Sequence, residues 1–102
     1  MGKGFVTLWE FAVNPSRQKE FENHYGPGGS WARLFRMAPG YVATELLNDR
    51  SNPLRYITVD RWSSAEHWHD FRKRYAKEYE ALDQECEGFT TYEASLGEFG
   101  GH

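Results

Sequence analysis

Residues 56–71 read YITVDRWSSAEHWHDF, and their periodicity changes once, at Trp62. Before that point the side chains alternate. Tyr56, Thr58, Asp60 and Trp62 share one face, while Arg55, Ile57, Val59 and Arg61 share the other, which is the two-residue period of a strand. Beyond it the apolar positions step by three and four through Ala65, Trp68, Phe71, Tyr75, Tyr79, Leu82 and Cys86, one face of a helix. Ser63 and Glu66 are spaced as a capping box, which predicts a long helix starting directly after Trp62 and ending at Gly88.

The same alternation of elements precedes this corner. Phe5 to Val13 (FVTLWEFAV) is apolar on both faces, so it predicts a strand covered on both sides. Asn14 and Pro15 suit the cap and first residue of a helix running to about Tyr25, which GPGG at 26–29 stops. Ser30 can cap a second short helix, WARLFRM, in which Trp31, Leu34 and Phe35 share a face. Pro39 and Gly40 break the chain again before a strand from Tyr41 to Leu47. A polar turn at 48–53 leads into the strand from Leu54 to Trp62, and Phe89 to about Phe99 forms the last strand, ahead of a GGH tail expected to fray.

The order β-α-(α)-β-β-α-β predicts an α+β, ferredoxin-like domain with an antiparallel sheet and helices on one face. All 102 residues make a single domain, with its core over about 5–99. The second sheet face is apolar but has no cover of its own. A homodimer, two sheets meeting face to face, is therefore expected.

Composition narrows the function classes. A net charge of −3 argues against binding nucleic acid through a basic face. No apolar run approaches the roughly 20 residues of a membrane span, and the first residues show no export leader. One cysteine, Cys86, allows no internal disulfide and no cysteine-rich metal site, and it fits a reducing, cytoplasmic setting. Aromatic residues make up 17% of the chain, more ring surface than a small interior easily hides. That points to a ligand cavity, a subunit interface, or both.

The two histidines of HWH, His67 and His69, stand about 200° apart around a helix, so they cannot hold one metal ion together. They border the apolar stripe on either side of Trp68, where either is a candidate proton acceptor. Glu10 and Glu45 lie in strands, with Arg55 and Arg61 as candidate partners. The stem of Arg72 falls on the helix stripe and can cover rings. Cys86 lies on the same stripe, where a thiol is inert. No nucleophile elbow, dinucleotide loop, phosphate loop or metal site is present, so no cofactor is expected.

Three stretches together resemble the antibiotic biosynthesis monooxygenase (ABM) family of dimeric α/β-barrel proteins: SWARLFRMAPGYVATELLND (30–49), YITVDRWSS (56–64), and the S-x-x-x-W-x-x-F stepping of Ser64, Trp68 and Phe71. The resemblance implies a homodimer with a cavity in each subunit between sheet and helices. It also implies an activity of some members, oxygenation of anthrone- or quinol-like aromatics by O2 without metal, flavin or haem. The family's corner Trp is kept as Trp62. Its Asn four residues earlier is Thr58 here, able to hydrogen-bond a substrate oxygen, and its Tyr six residues later is Trp68, which cannot relay a phenolic proton. Haem-degrading relatives carry a His around position 81, where this chain has Ala81.

The implied pocket has Trp62, Thr58, Trp68 and Tyr75 as its wall, Trp9 opposite, Trp31 or Phe35 as a lid, and His67 or His69 taking the proton. Two other activities fit the same scaffold: non-catalytic binding or protection of a small ligand, and isomerase or lyase chemistry.

Overall fold

A computed structural model describes residues 4–101. The first three residues, on which the absence of an export leader was read, and the last residue of the tail, His102, lie outside the described residues. Strand β1 (Phe5–Val13) leads into a 3₁₀ turn (Pro15–Arg17) and helix α1 (Gln18–Tyr25), followed by the short α2 (Ser30–Phe35). Strands β2 (Tyr41–Asn48) and β3 (Arg55–Trp62) form a hairpin. Helices α3 (Ala65–Arg74) and α4 (Ala76–Cys86) then return the chain through a second 3₁₀ turn (Glu87–Phe89) to β4 (Thr90–Gly100).

The four strands order as β2-β3-β1-β4, every pair antiparallel. This is the ferredoxin-like α+β arrangement that the alternation of periods predicts. Register places Phe5, Thr7, Trp9 and Phe11 beside Trp62, Asp60, Thr58 and Tyr56. On that face the strand residues join Phe21, Tyr25, Trp31, Phe35, Trp68, Phe71, Cys86 and Phe89 of the helical layer in one core. The other face carries Leu8, Ala12, Ile57 and Val59 with Leu47, Tyr92 and Phe99, the last three about half exposed. Among the described residues, no element covers it. Glu10 and Glu45 lie there too, paired with Arg55 at 2.6 Å and Arg61 at 3.0 Å.

Three local details differ from expectation. The cap of α3 is Ser64, not Ser63: its Oγ accepts from the His67 amide at 3.2 Å, while the Ser63 amide stays bonded to the Gly40 carbonyl at 2.7 Å. The cap of α2 is Gly29, because the Ser30 hydroxyl is engaged by His24 Nδ1 at 2.6 Å. The long helix is broken at Tyr75 (φ −112°, ψ 28°), where no Pro or Gly marks it. There the Tyr75 hydroxyl donates to the Met37 carbonyl at 3.0 Å and the ring stacks on Phe71, so a tertiary contact sets the kink. Among the described residues, no helix is long and apolar enough to cross a membrane.

Candidate functional site

A half-open cavity of about 240 Å³ lies between the sheet and the helices. A void of about 150 Å³ lined by apolar groups already accepts benzene, so the space suits one or two fused rings. Its floor is the sheet, with Thr58 and Asp60 of β3, Thr44 of β2, and Trp9 and Phe11 of β1. Trp31 and Phe35 of α2 with Tyr25 of α1 form one wall, and Trp68 and Arg72 of α3 with Tyr79 of α4 the other. Asp83 of α4 and Glu93 of β4 complete the lining. The void follows from side-chain size: Thr44 and Thr58 are short, whereas the rings above them are held off the floor by one another. Phe35, for example, packs edge-on against Trp62, Trp68 and Phe71 at 5.2–6.2 Å between centroids.

Of the residues expected in the site, Thr58, Trp9, Trp31, Phe35 and Trp68 line this cavity. Trp62 and Tyr75 do not. Trp62 is 1% exposed and packs under the wall against Phe35, Trp68 and Phe71, so it supports the cavity from behind. The Tyr75 hydroxyl is turned away to Met37. Neither histidine reaches the cavity. His67 is exposed, held by the Ser64 hydroxyl at 2.8 Å and wedged against Gly40, whose φ of +90° and lack of a Cβ make room for the ring. His69 is exposed as well, 3.4 Å from Glu98 and edge-on to Phe5.

The carboxyl on the cavity floor is Asp60, 8% exposed. Burial raises its carboxyl from the ordinary 3.8 to about 6, against a hydrogen bond from Thr44 that pulls the other way. Thr44 Oγ1 donates to Oδ1 at 2.6 Å, and Tyr41 donates to Thr44 at 2.8 Å. No cation pairs with Asp60, and Oδ2 has no hydrogen-bond partner among the described residues. Opposite lies the Tyr79 phenol, which burial pushes above its usual range; Arg72 opposes that rise, and Asp83, Asp60 and Glu93 add to it. The Arg72 guanidinium lies 4.0 Å over the Tyr79 ring and 5.5 Å from that of Trp68, forming a cationic edge to the aromatic wall. Burial, with Asp83 nearby, also raises the Glu93 carboxyl. Cys86 is buried and its thiol is pushed up to about 11, so it is no nucleophile at neutral pH.

The arrangement can bind a flat aromatic molecule edge-on to the sheet, accept a proton from it at Asp60, and set a cation beside its far edge. The alternation of β3 put Asp60 on the same strand face as Thr58 and Trp62 but did not single it out. An acid among Tyr56, Thr58 and Trp62 was the available signal. Tyr79, on the helix stripe, offers the phenol that position 68 lacks.

Comparison with known proteins bears on the family and the fold. The family model described as Antibiotic biosynthesis monooxygenase matches residues 5–81. A Bordetella bronchiseptica protein assigned to antibiotic biosynthesis monooxygenases superposes with a TM-score of 0.75 at 22% identity, over 97% of this chain and 96% of that one. SnoaB, a cofactor-independent oxygenase from Streptomyces nogalater, superposes with a TM-score of 0.69 at 17% identity, over 98% and 94%. A conserved protein from Methanosarcina mazei Go1 gives 0.66 at 14%, over 97% and 93%. At these identities the structures show a shared fold and nothing finer. No curated protein matches the chain in sequence.

Proposed function

The chain belongs to the antibiotic biosynthesis monooxygenase family, and on that premise we propose that it binds a small phenolic, quinol- or anthrone-like molecule and oxygenates it with O2. The observation that carries this reading is Asp60, an unpaired, buried carboxylate facing a ring-lined cavity of about 240 Å³. A carboxyl near 6 is matched to taking a proton at neutral pH. Asp60 Oδ2 removes a proton from the ligand, and the resulting anion is electron-rich enough to reduce O2 directly. The new carbon–oxygen bond leaves a peroxide, which takes the proton back from Asp60. Loss of water then yields a carbonyl, so one CH2 and one O2 become one C=O and one H2O. Thr58 holds a ligand oxygen on the floor, Trp9, Trp31, Phe35 and Trp68 clasp the ring plane, and Arg72 offsets the negative charge. Asp60 replaces His67 and His69 as the proton acceptor, because neither imidazole reaches the ligand space.

Two copies pair through the uncovered sheet face, closing the dimeric barrel. Support for this comes from Leu47, Tyr92 and Phe99, which a single chain leaves 47–56% exposed on that face. The small-ligand site of each copy lies on the opposite side of its own sheet.

The test is oxygen uptake by the purified protein with anthrone and 1,4-naphthohydroquinone, alongside ligand titration by tryptophan fluorescence. Saturable quenching with O2 consumption is expected. Asp60→Asn should retain the quenching and lower kcat by about 10²-fold or more. Quenching without uptake would instead mark a binding protein, and O2-independent conversion of an unsaturated acid or lactone an isomerase or lyase.

A further inference from the structure

The hydrogen bonds on Asp60 have a direction that its charge dictates. An ionised carboxylate only accepts, so Thr44 must donate its single hydroxyl hydrogen to Oδ1 at 2.6 Å. Thr44 is then left only to accept, and the donor is Tyr41 at 2.8 Å. Both bonds therefore point inward while Asp60 is charged, and both reverse when a proton sits on the carboxyl oxygen facing Thr44. The three residues also descend in exposure. Tyr41, at the start of the edge strand β2, is half-buried, whereas Thr44 and Asp60 are 6% and 8% exposed. On the other side of Asp60 in the sheet register stands Thr7, whose buried hydroxyl has no hydrogen-bond partner among the described residues, so no second chain of hydrogen bonds leaves through β1 there.

We propose that Tyr41 and Thr44 form a proton wire that joins Asp60 to solvent at the β2 edge. The wire deepens the reading of Asp60 as the proton acceptor and rests on it. A ring seated in the cavity separates Asp60 from water on the side of Arg72, Tyr79, Asp83 and Glu93, the other charged or titratable groups that face this space from α3, α4 and β4. A proton taken up at Oδ2 then leaves through the protein. Rotation of the carboxyl about its Cβ–Cγ bond presents that proton to Thr44. It passes to Thr44 Oγ1 as the Thr44 hydrogen passes to Tyr41 Oη and the Tyr41 hydrogen to water. One proton is delivered to solvent, no electron moves, and Asp60 is again a carboxylate. Run inward, the same steps return a proton to the ligand.

The experiment uses 4-nitrophenol, whose ionisation is visible, as the bound probe. Equilibrium binding is read by tryptophan quenching, and proton exchange by temperature-jump relaxation of the nitrophenolate band in the saturated complex. Thr44→Val and Tyr41→Phe should each slow that relaxation by about tenfold or more, while Thr44→Ser and Thr7→Val should relax as the wild type does. A purely structural Thr44 would move the midpoint of the titration without changing the relaxation rate. Unchanged relaxation in both Thr44→Val and Tyr41→Phe would overturn the wire and leave the ligand site standing. Failure of the wild type to bind 4-nitrophenol saturably would overturn the ligand site, and the wire with it.

Discussion

Replacing Asp60 with Asn is expected to stabilise the fold at neutral pH and to leave it unchanged in acid. Burial carries this carboxyl from 3.8 to about 6, so the folded chain holds the proton more tightly than the unfolded one. Stability therefore falls as pH rises through that window, and the full cost stands above the folded value. The displacement corresponds to about 3 kcal/mol. Asn keeps the shape, and its oxygen still accepts from Thr44, so about 2–3 kcal/mol should be recovered at pH about 8 and almost nothing at pH about 4. In a domain of this size that is roughly 10 °C or more in Tm. The assay is urea unfolding of both proteins, followed by tryptophan fluorescence at steps across the window. Asp49, whose carboxyl is held below its usual range by the Ser51 amide and Arg55, works in the opposite sense. Because it is common to both proteins, it cancels in their difference. Parallel stability curves for wild type and Asp60→Asn would refute the claim that Asp60 is a buried, uncompensated charge. The same variant should lose turnover, an exchange of stability for function expected at a catalytic carboxylate.

Other consequences of the geometry can be checked alongside. Ser64→Ala should cost about 1 kcal/mol in urea unfolding, as loss of a helix cap does, while Ser63→Ala should cost almost nothing. Gly40→Ala should cost at least about 1–2 kcal/mol, since φ is +90° and the new Cβ would fall on the His67 ring. The companion His67→Ala should relieve only part of that loss, leaving the backbone strain. Leu47→Glu and Tyr92→Glu sit on the half-exposed outer face of a single chain. Each should keep its circular dichroism and shift the mass seen by light scattering from dimer to monomer.

The order of strands and helices was legible because periodicity is a local property. Alternation through Tyr56, Thr58, Asp60 and Trp62 and three-four stepping from Ala65 onward each survive whatever packs against them. That Arg55 and Arg61 would partner Glu10 and Glu45 was legible for a related reason, since a strand acid among apolar neighbours needs a cation; which arginine meets which acid came from the register. The family resemblance rested on three stretches together, residues 30–49, residues 56–64 and the stepping of Ser64, Trp68 and Phe71. The break at Tyr75 was not legible, since it depends on a hydroxyl reaching the Met37 carbonyl 38 positions earlier in the chain.

The candidate site divides along the same line. Residue types and periods by themselves determined an aromatic-rich inner face bearing Trp9, Trp31, Phe35, Thr58 and Trp68. Only the tertiary structure decided which of those rings border empty space and which, like Trp62, are packed solid, because a void is set by the sizes of side chains arriving from different elements. It also turned His67 toward its own helix cap and set Thr44 of β2 against Asp60 of β3. An aspartate's chemistry depends on how much water and how many donors surround it. Those neighbours come from β2, α3, α4 and β4, and no local pattern around position 60 encodes them.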